Sequence, residues 1–379
     1  MTSSLCIGIA GAGLLGRLLA WRLARAGHAV QVFDAAAGPE PVFRSQAPDA
    51  SHVPTAAGFT AAGMLSPIAE LDNAEPSIAA LGWRSIALWR SIVAALPEPR
   101  PLFSVQGSLL LAHRADLGAA QRVLARMQAA VATPEWRAAS PAEGVQPLDT
   151  AALREMEPSI QGPAHAWLLP GEGFIDTVAT MVALYSGAVG ADWHWGRRVL
   201  AVEAGEGGGT LRLADGRVLA FDAVIDVRGV GAQAALPVRG VRGEVITLDC
   251  PGHGLTRPVR LLHPRHRVYV VPRSARQLIV GASEIESEDR SPVSLRSAVE
   301  LMAAAHSVLP ALAEARIERL DVNLRPALPD NNPLLEHGAR LLRINGLFRH
   351  GWLLAPALVE QALRSTGWAS AMNTEQELA

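Results

Sequence analysis

The 379-residue chain contains no lysine, so all 34 of its basic residues are arginine. A Walker-type phosphate loop, a pyridoxal phosphate enzyme and a Schiff-base aldolase each need a lysine amine. Arginine cannot replace it, because it does not deprotonate. Cysteine is nearly as scarce. Cys6 and Cys250 stand far apart in apolar surroundings, which fits a reducing compartment and inert core thiols rather than a disulfide framework. No metal-ligand spacing occurs, and His263 with His266 in LLHPRHRVYV lack partners, so no metal is expected. The apolar run 5–10 is too short for a membrane span and has no basic leader before it, which reads as a cytoplasmic protein. With 34 basic against 36 acidic residues there is no global field to attract nucleic acid or an anionic membrane, and the expected partner is a small molecule.

Hydrophobic residues, by contrast, are plentiful at 49%, and the length exceeds the ~250–300 residues at which one core usually stops growing. Two domains are expected. The first 34 residues alternate strand (5–10), helix (14–26) and strand (28–33), a βαβ unit whose helix ends at Gly27. Amphipathic helices are expected at 75–96, 115–132 and 150–156, another at 175–189, and a further one at 295–308. Strands are expected near 197–203, 210–214 and 217–226, with the glycines at 205–209 forming a hairpin turn. Three more fall in GEVITLD, RVYVVPR and QLIVGAS, which are β-branched and alternating.

The turn between the first strand and helix reads GAGLLG. Gly11 makes the strand-to-helix turn, Gly13 lets a pyrophosphate approach the backbone, and Gly16 lets helix pack on strand. Ala12, Leu14 and Leu15 complete the loop at the helix N-terminus, where free N–H groups favour phosphate. Asp34, ending the second strand, is placed to accept from the adenosine ribose hydroxyls. The unit thus points to a dinucleotide, with NAD and FAD left open.

Three later stretches carry a resemblance. AAGMLSP at 61–67, YVVPR at 269–273 followed by LIVGAS, and LRPALPDNNPLL with FRHGWLLAP at 348–356 are together similar to the D-amino acid oxidase family. The likeness is strongest to its glycine oxidases of thiamine biosynthesis, and it runs in order over most of the chain. It implies an α/β flavoprotein in which a Rossmann-type FAD-binding domain (1–95, 170–235 and 322–379) is interrupted by a sheet-rich substrate domain (96–169 and 236–321). It also implies non-covalent FAD, oxidation of a small amino acid or amine by hydride transfer to the flavin, oxygen reduced to hydrogen peroxide, and a homo-oligomer. On this resemblance Ala61, Ala62, Gly63 and Met64 line the flavin, and Val199 contacts the adenine end through its backbone. The turn 346–353, with Arg349, His350, Gly351, Trp352 and Leu353, lies along the isoalloxazine. Arg325 clamps the substrate carboxylate, assisted by Tyr269 and Arg349. A planar guanidinium suits that role because it can bind a carboxylate through two parallel hydrogen bonds.

Departures from the family pattern bear on the substrate. The loop 38–58 is long, Arg228 stands in DVRGVGA where an apolar strand is usual, Arg267 precedes Tyr269 by two residues, and Glu284 follows VGAS. Leu347 and His350 also replace the usual neighbours of Arg349. Charge in the pocket from Arg267 or Glu284 would imply a substrate with charge beyond glycine's own, a D-amino acid or an N-substituted glycine among the alternatives. Two other readings remain: a dehydrogenase passing electrons to an acceptor other than oxygen, and a nucleotide-binding module without turnover.

Overall fold

A computed structural model describes residues 4–43, 55–134, 136, 144–262 and 267–369. Cys6–Ala10 and Ala29–Phe33 pair in parallel, joined by the helix Leu14–Arg25, as the alternation of apolar strand and amphipathic helix requires. They centre a six-stranded sheet. Ala223–Asp226 and then Leu341–Asn345 and Leu334–His337 extend it on one side, and Ala191–His194 on the other. The helices Thr177–Gly187 and Gly351–Thr366 pack on Leu14–Arg25, and Pro76–Ala95 packs on Gly351–Thr366.

A second, eight-stranded sheet runs Arg316–Ala327, Arg239–Asp249, Gln277–Gly281, Arg267–Pro272, Val259–Leu262, Ser108–Ala112, His165–Leu169, Gln146–Leu148. Its own core includes Ile246, Leu261, Val280 and, from the helix Leu295–His306, Leu301. A smaller cluster joins the two regions: Val245, Val271 and Ile279 pack against Ala62 and Phe174.

Two expected elements are redrawn. The stretch 217–226 is two strands, Val218–Phe221 in a three-stranded antiparallel sheet and Ala223–Asp226 in the main sheet, because Asp222 leaves the ladder and its carboxylate accepts from the Cys6 N–H at 2.7 Å. The helix after Gly171 begins at Thr177, not at Ile175. Gly173–Ile175 is a strand, and Asp176 caps the helix by accepting from the Ala179 N–H. The glycine turn does close the hairpin, with Gly205 opposite Gly208. Of the long loop, residues 44–54 lie outside the described residues, as do His263 and His266.

Candidate active site

One cavity of about 1760 Å³ is walled by both sheets. It exceeds the ~300–1,000 Å³ of an ordinary small-molecule pocket, as an extended dinucleotide with a substrate beside it would require.

The glycine loop forms one part of the wall. Gly11 holds φ +105° and donates its N–H to Phe33 O at 2.8 Å, a turn that a side chain would strain. Gly16 faces away from the cavity; a Cβ there would lie 1.9 Å from Gly11 O, so the helix packs on the strand only without one. Gly13 is different. A Cβ on it would meet nothing nearer than Ala56 Cβ at 3.7 Å, so the protein's own packing does not demand glycine. It lines the cavity with Gly11, Leu14, Leu15 and Asp34, and an open approach to backbone N–H groups is what a pyrophosphate uses. Ala12 lies behind the wall and donates its N–H to Asp34 Oδ2 at 2.6 Å, while Oδ1 accepts from Ala36 N–H. Asp34 therefore shapes the loop as well as facing the cavity, and each oxygen keeps a lone pair for a ribose hydroxyl.

Two buried arginines behind this wall escaped the sequence reading. Arg17 donates to the carbonyls of Ala12, Met181 and Pro39 and lies over the Phe59 ring, tying the glycine loop to its surroundings. Arg273 donates to Ile175 O, Ala61 O and Ala62 O, fixing the backbone of the stretch that lines the cavity at 61–64. Burial lowers both guanidinium pKa values to about 10, so both stay charged at neutral pH. Arg228 lines the cavity, but its guanidinium is engaged by the protein. It grips Asp226 through two hydrogen bonds and donates to Val199 O and Leu200 O, which commits it to the strand that carries Val199. The Val199 carbonyl is thus shared with Arg228, and Val199 itself lines the cavity.

At the other group of predicted residues, Arg325 and Tyr269 come from strands of the eight-stranded sheet and both line the cavity. Space for each is made by a glycine on a neighbouring strand. A Cβ at Gly243 would lie 2.6 Å from the Arg325 guanidinium carbon, and one at Gly281 would lie 2.6 Å from the Tyr269 hydroxyl. Arg325 Nη1 donates to Ser283 O at 3.0 Å, and no carboxylate lies within ion-pair distance of this guanidinium among the described residues. Burial lowers its pKa from the usual arginine value. Burial raises the Tyr269 pKa against the opposing pull of Arg325, Arg260 and Arg273, so the phenol keeps its proton.

Arg349 also reaches the cavity, but it is occupied. Its Nη2 donates to Glu70 Oε2 at 2.6 Å, and Nη1 lies 3.7 Å from Glu284 Oε2. Glu70, 7% exposed, is the hub the sequence did not disclose: Arg260 pairs with its other oxygen at 3.1 Å, and His350 Nδ1 lies 3.4 Å from Oε2. Burial opposes its ionisation, yet Arg349, His350 and Arg260 together hold it well below the usual carboxylate range. Burial lowers the His350 pKa, leaving the ring neutral near pH 7. Glu284 is half exposed and lines the cavity. The Arg267 side chain lies outside what the structure describes. Gly351, Trp352 and Leu353 form the cavity wall at the start of the helix Gly351–Thr366, with the Trp352 indole anchored on Gly58 O at 3.0 Å.

The family profile that matches, over residues 7–361, is that of the DAO-type FAD dependent oxidoreductases. The chain belongs to this family. The flavoenzyme is 34% identical to a Rhizobium etli protein assigned as the thiamine biosynthesis oxidoreductase ThiO, over 93% of this chain and 94% of that one. Its fold matches the glycine oxidase of Geobacillus kaustophilus at a TM-score of 0.77 and 24% identity, covering 98% and 96% of the two chains. The iminodiacetate oxidase of Chelativorans sp. matches at the same TM-score and identity, over 98% of each chain. The glycine loop, the open approach at Gly13 and the size of the cavity all fit FAD. No described helix of this flavoenzyme is long and apolar enough to cross a membrane.

Proposed function

We propose that this flavoenzyme is a cytoplasmic oxidase of glycine-type substrates, passing electrons to oxygen, with its imine product feeding thiazole formation for thiamine. The observation that carries the reading is Arg325: a buried guanidinium facing the cavity, held by a carbonyl rather than a carboxylate, beside a protonated tyrosine. The similarity to the Rhizobium etli protein supports the thiamine assignment.

Gly11, Gly13 and Asp34 would hold the adenosine-diphosphate part of FAD, and Ala61–Met64 with Gly351–Leu353 would flank its ring. When bound, FAD supplies the acceptor for the hydride of the substrate's carbon–hydrogen bond. Arg325 binds the substrate carboxylate and orients that bond, and Tyr269 adds a neutral donor without a second charge. No side-chain nucleophile is needed. Two large sheets support a division into two domains, and because the strand carrying Arg325 runs in the eight-stranded sheet to Ala327, the substrate domain would extend to that residue.

Purified protein should be yellow and release peroxide with glycine or sarcosine, tested beside D-amino acids and other N-substituted glycines. Dye reduction without peroxide would make it a dehydrogenase. A flavin that no amine bleaches anaerobically would make it a binding module. Arg325→Leu should keep the flavin and weaken substrate by about 2–5 kcal/mol, the scale for removing one partner of a buried charge pair; an unchanged KM would reject the clamp.

A further inference from the structure

We propose that Glu284, together with Glu70, closes the second cavity arginine to substrate, so that the site takes one carboxylate and refuses dicarboxylates. The inference rests on the proposed binding of a glycine-type carboxylate at Arg325. Arg325, Arg349 and Arg260 line the cavity together with Tyr269. Two are neutralised internally. Glu70 takes one nitrogen of Arg349 at 2.6 Å and one of Arg260 at 3.1 Å, and Glu284 stands 3.7 Å from the remaining terminal nitrogen of Arg349. Only Arg325 has no carboxylate at ion-pair distance among the described residues.

A second carboxylate would face Glu284 and Glu70, whose like charges repel it, which is costly. The cavity cations Arg349 and Arg260 are both already paired with Glu70, and Arg349 is flanked by Glu284 as well. The chain fixes that flank: Ser283 O accepts from Arg325, and Glu284 is the next residue, so the group holding the clamp and the group guarding its neighbour move together. Glu284 is the adjustable element, because it is 49% exposed and only loosely paired, whereas Glu70 is buried within its network.

The test is a titration of the FAD-loaded protein with glycolate and with diglycolate, carboxylates that carry no amine and need no turnover, read from the flavin absorbance. Glycolate should bind at least about tenfold more tightly than diglycolate in the wild type, and Glu284→Gln should narrow that gap by about tenfold, the scale of one nearby charge. Equal affinities in the wild type, a gap unchanged in Glu284→Gln, or no response to either carboxylate would overturn the inference. A protein that shows the predicted selectivity but oxidises no glycine would refute the proposed reaction and leave the inference standing.

Discussion

At the scale of single residues, the site is built as much by missing side chains as by charged ones. Arg325 points into space that exists because residue 243 has no Cβ, so Gly243→Ala should displace the guanidinium and lower kcat/KM while the flavin stays bound; a variant with wild-type kinetics would show that the cavity yields elsewhere. A second residue-scale effect concerns pH. Glu172 is fully buried and accepts from the Ala69 N–H and the Ser108 hydroxyl, but burial outweighs these and the charge of Arg260, raising its pKa from 4.5 to about 7. The folded state therefore holds this proton more tightly than the unfolded chain does. The stability it contributes is fully present below pH 4.5 and is lost as pH rises through about 7. Glu172→Gln removes the titration while its oxygen still accepts from the Ala69 N–H and its NH2 donates to the Ser108 oxygen, so relative to it the wild type should lose up to about 3 kcal/mol between pH 4.5 and pH 8. Parallel unfolding curves at the two pH values would contradict this. Glu70 has the opposite sign: its paired carboxylate stabilises above the ordinary carboxylate pKa and ceases to do so in acid.

At the scale of elements, the helix Gly351–Thr366 shows how a wall of the cavity is kept in place. Pro356 lies inside it and has no N–H, so the carbonyl of Trp352, four residues earlier, loses its helical donor. The Trp89 indole N–H from the helix Pro76–Ala95 fills that role at 2.8 Å, and the Ser85 hydroxyl accepts from the Ala357 N–H. Trp89→Phe should keep the stacking on Trp352 but orphan a buried carbonyl, costing about 1–3 kcal/mol in denaturant unfolding. A smaller change would mean that another donor reaches the carbonyl. Elements of this length are also what the sequence discloses. The βαβ unit, the long helix at 75–96 and the strands around Tyr269 follow from periodicity and composition alone. The break at Asp222 does not, because the apolar run continues across it and what divides it is a pair of long-range hydrogen bonds to Cys6. Glu70 was hidden for a similar reason: it looks like one acid ending an apolar turn, and its partner Arg349 is 279 residues away. The glycines at 243 and 281 were readable signals, since glycine within a strand marks a close approach, but nothing local says which side chain approaches.

At the scale of the whole molecule, the cavity is walled by both sheets, which pack together through a shared core, with Leu110 and Leu169 of the eight-stranded sheet joining Ile7 and Ile9 of the six-stranded one, and through the small cluster around Ala62 and Phe174. The cofactor would add contacts to both walls of the cavity. FAD binds the folded form alone, so at a hundredfold excess over its Kd it should stabilise by about 2.7 kcal/mol, roughly 3 °C in Tm for a chain of this size. Gly13 separates this contribution from the protein's own packing. A Cβ there meets no protein atom closer than 3.7 Å, so Gly13→Ala should leave the Tm of the apoprotein nearly unchanged while removing most of the increment that FAD adds. The measurement is a pair of thermal scans, with and without added FAD, for wild type and variant. If the variant lost stability equally in both scans, Gly13 would be a packing residue, and the open approach seen in the structure would not be where the pyrophosphate comes in.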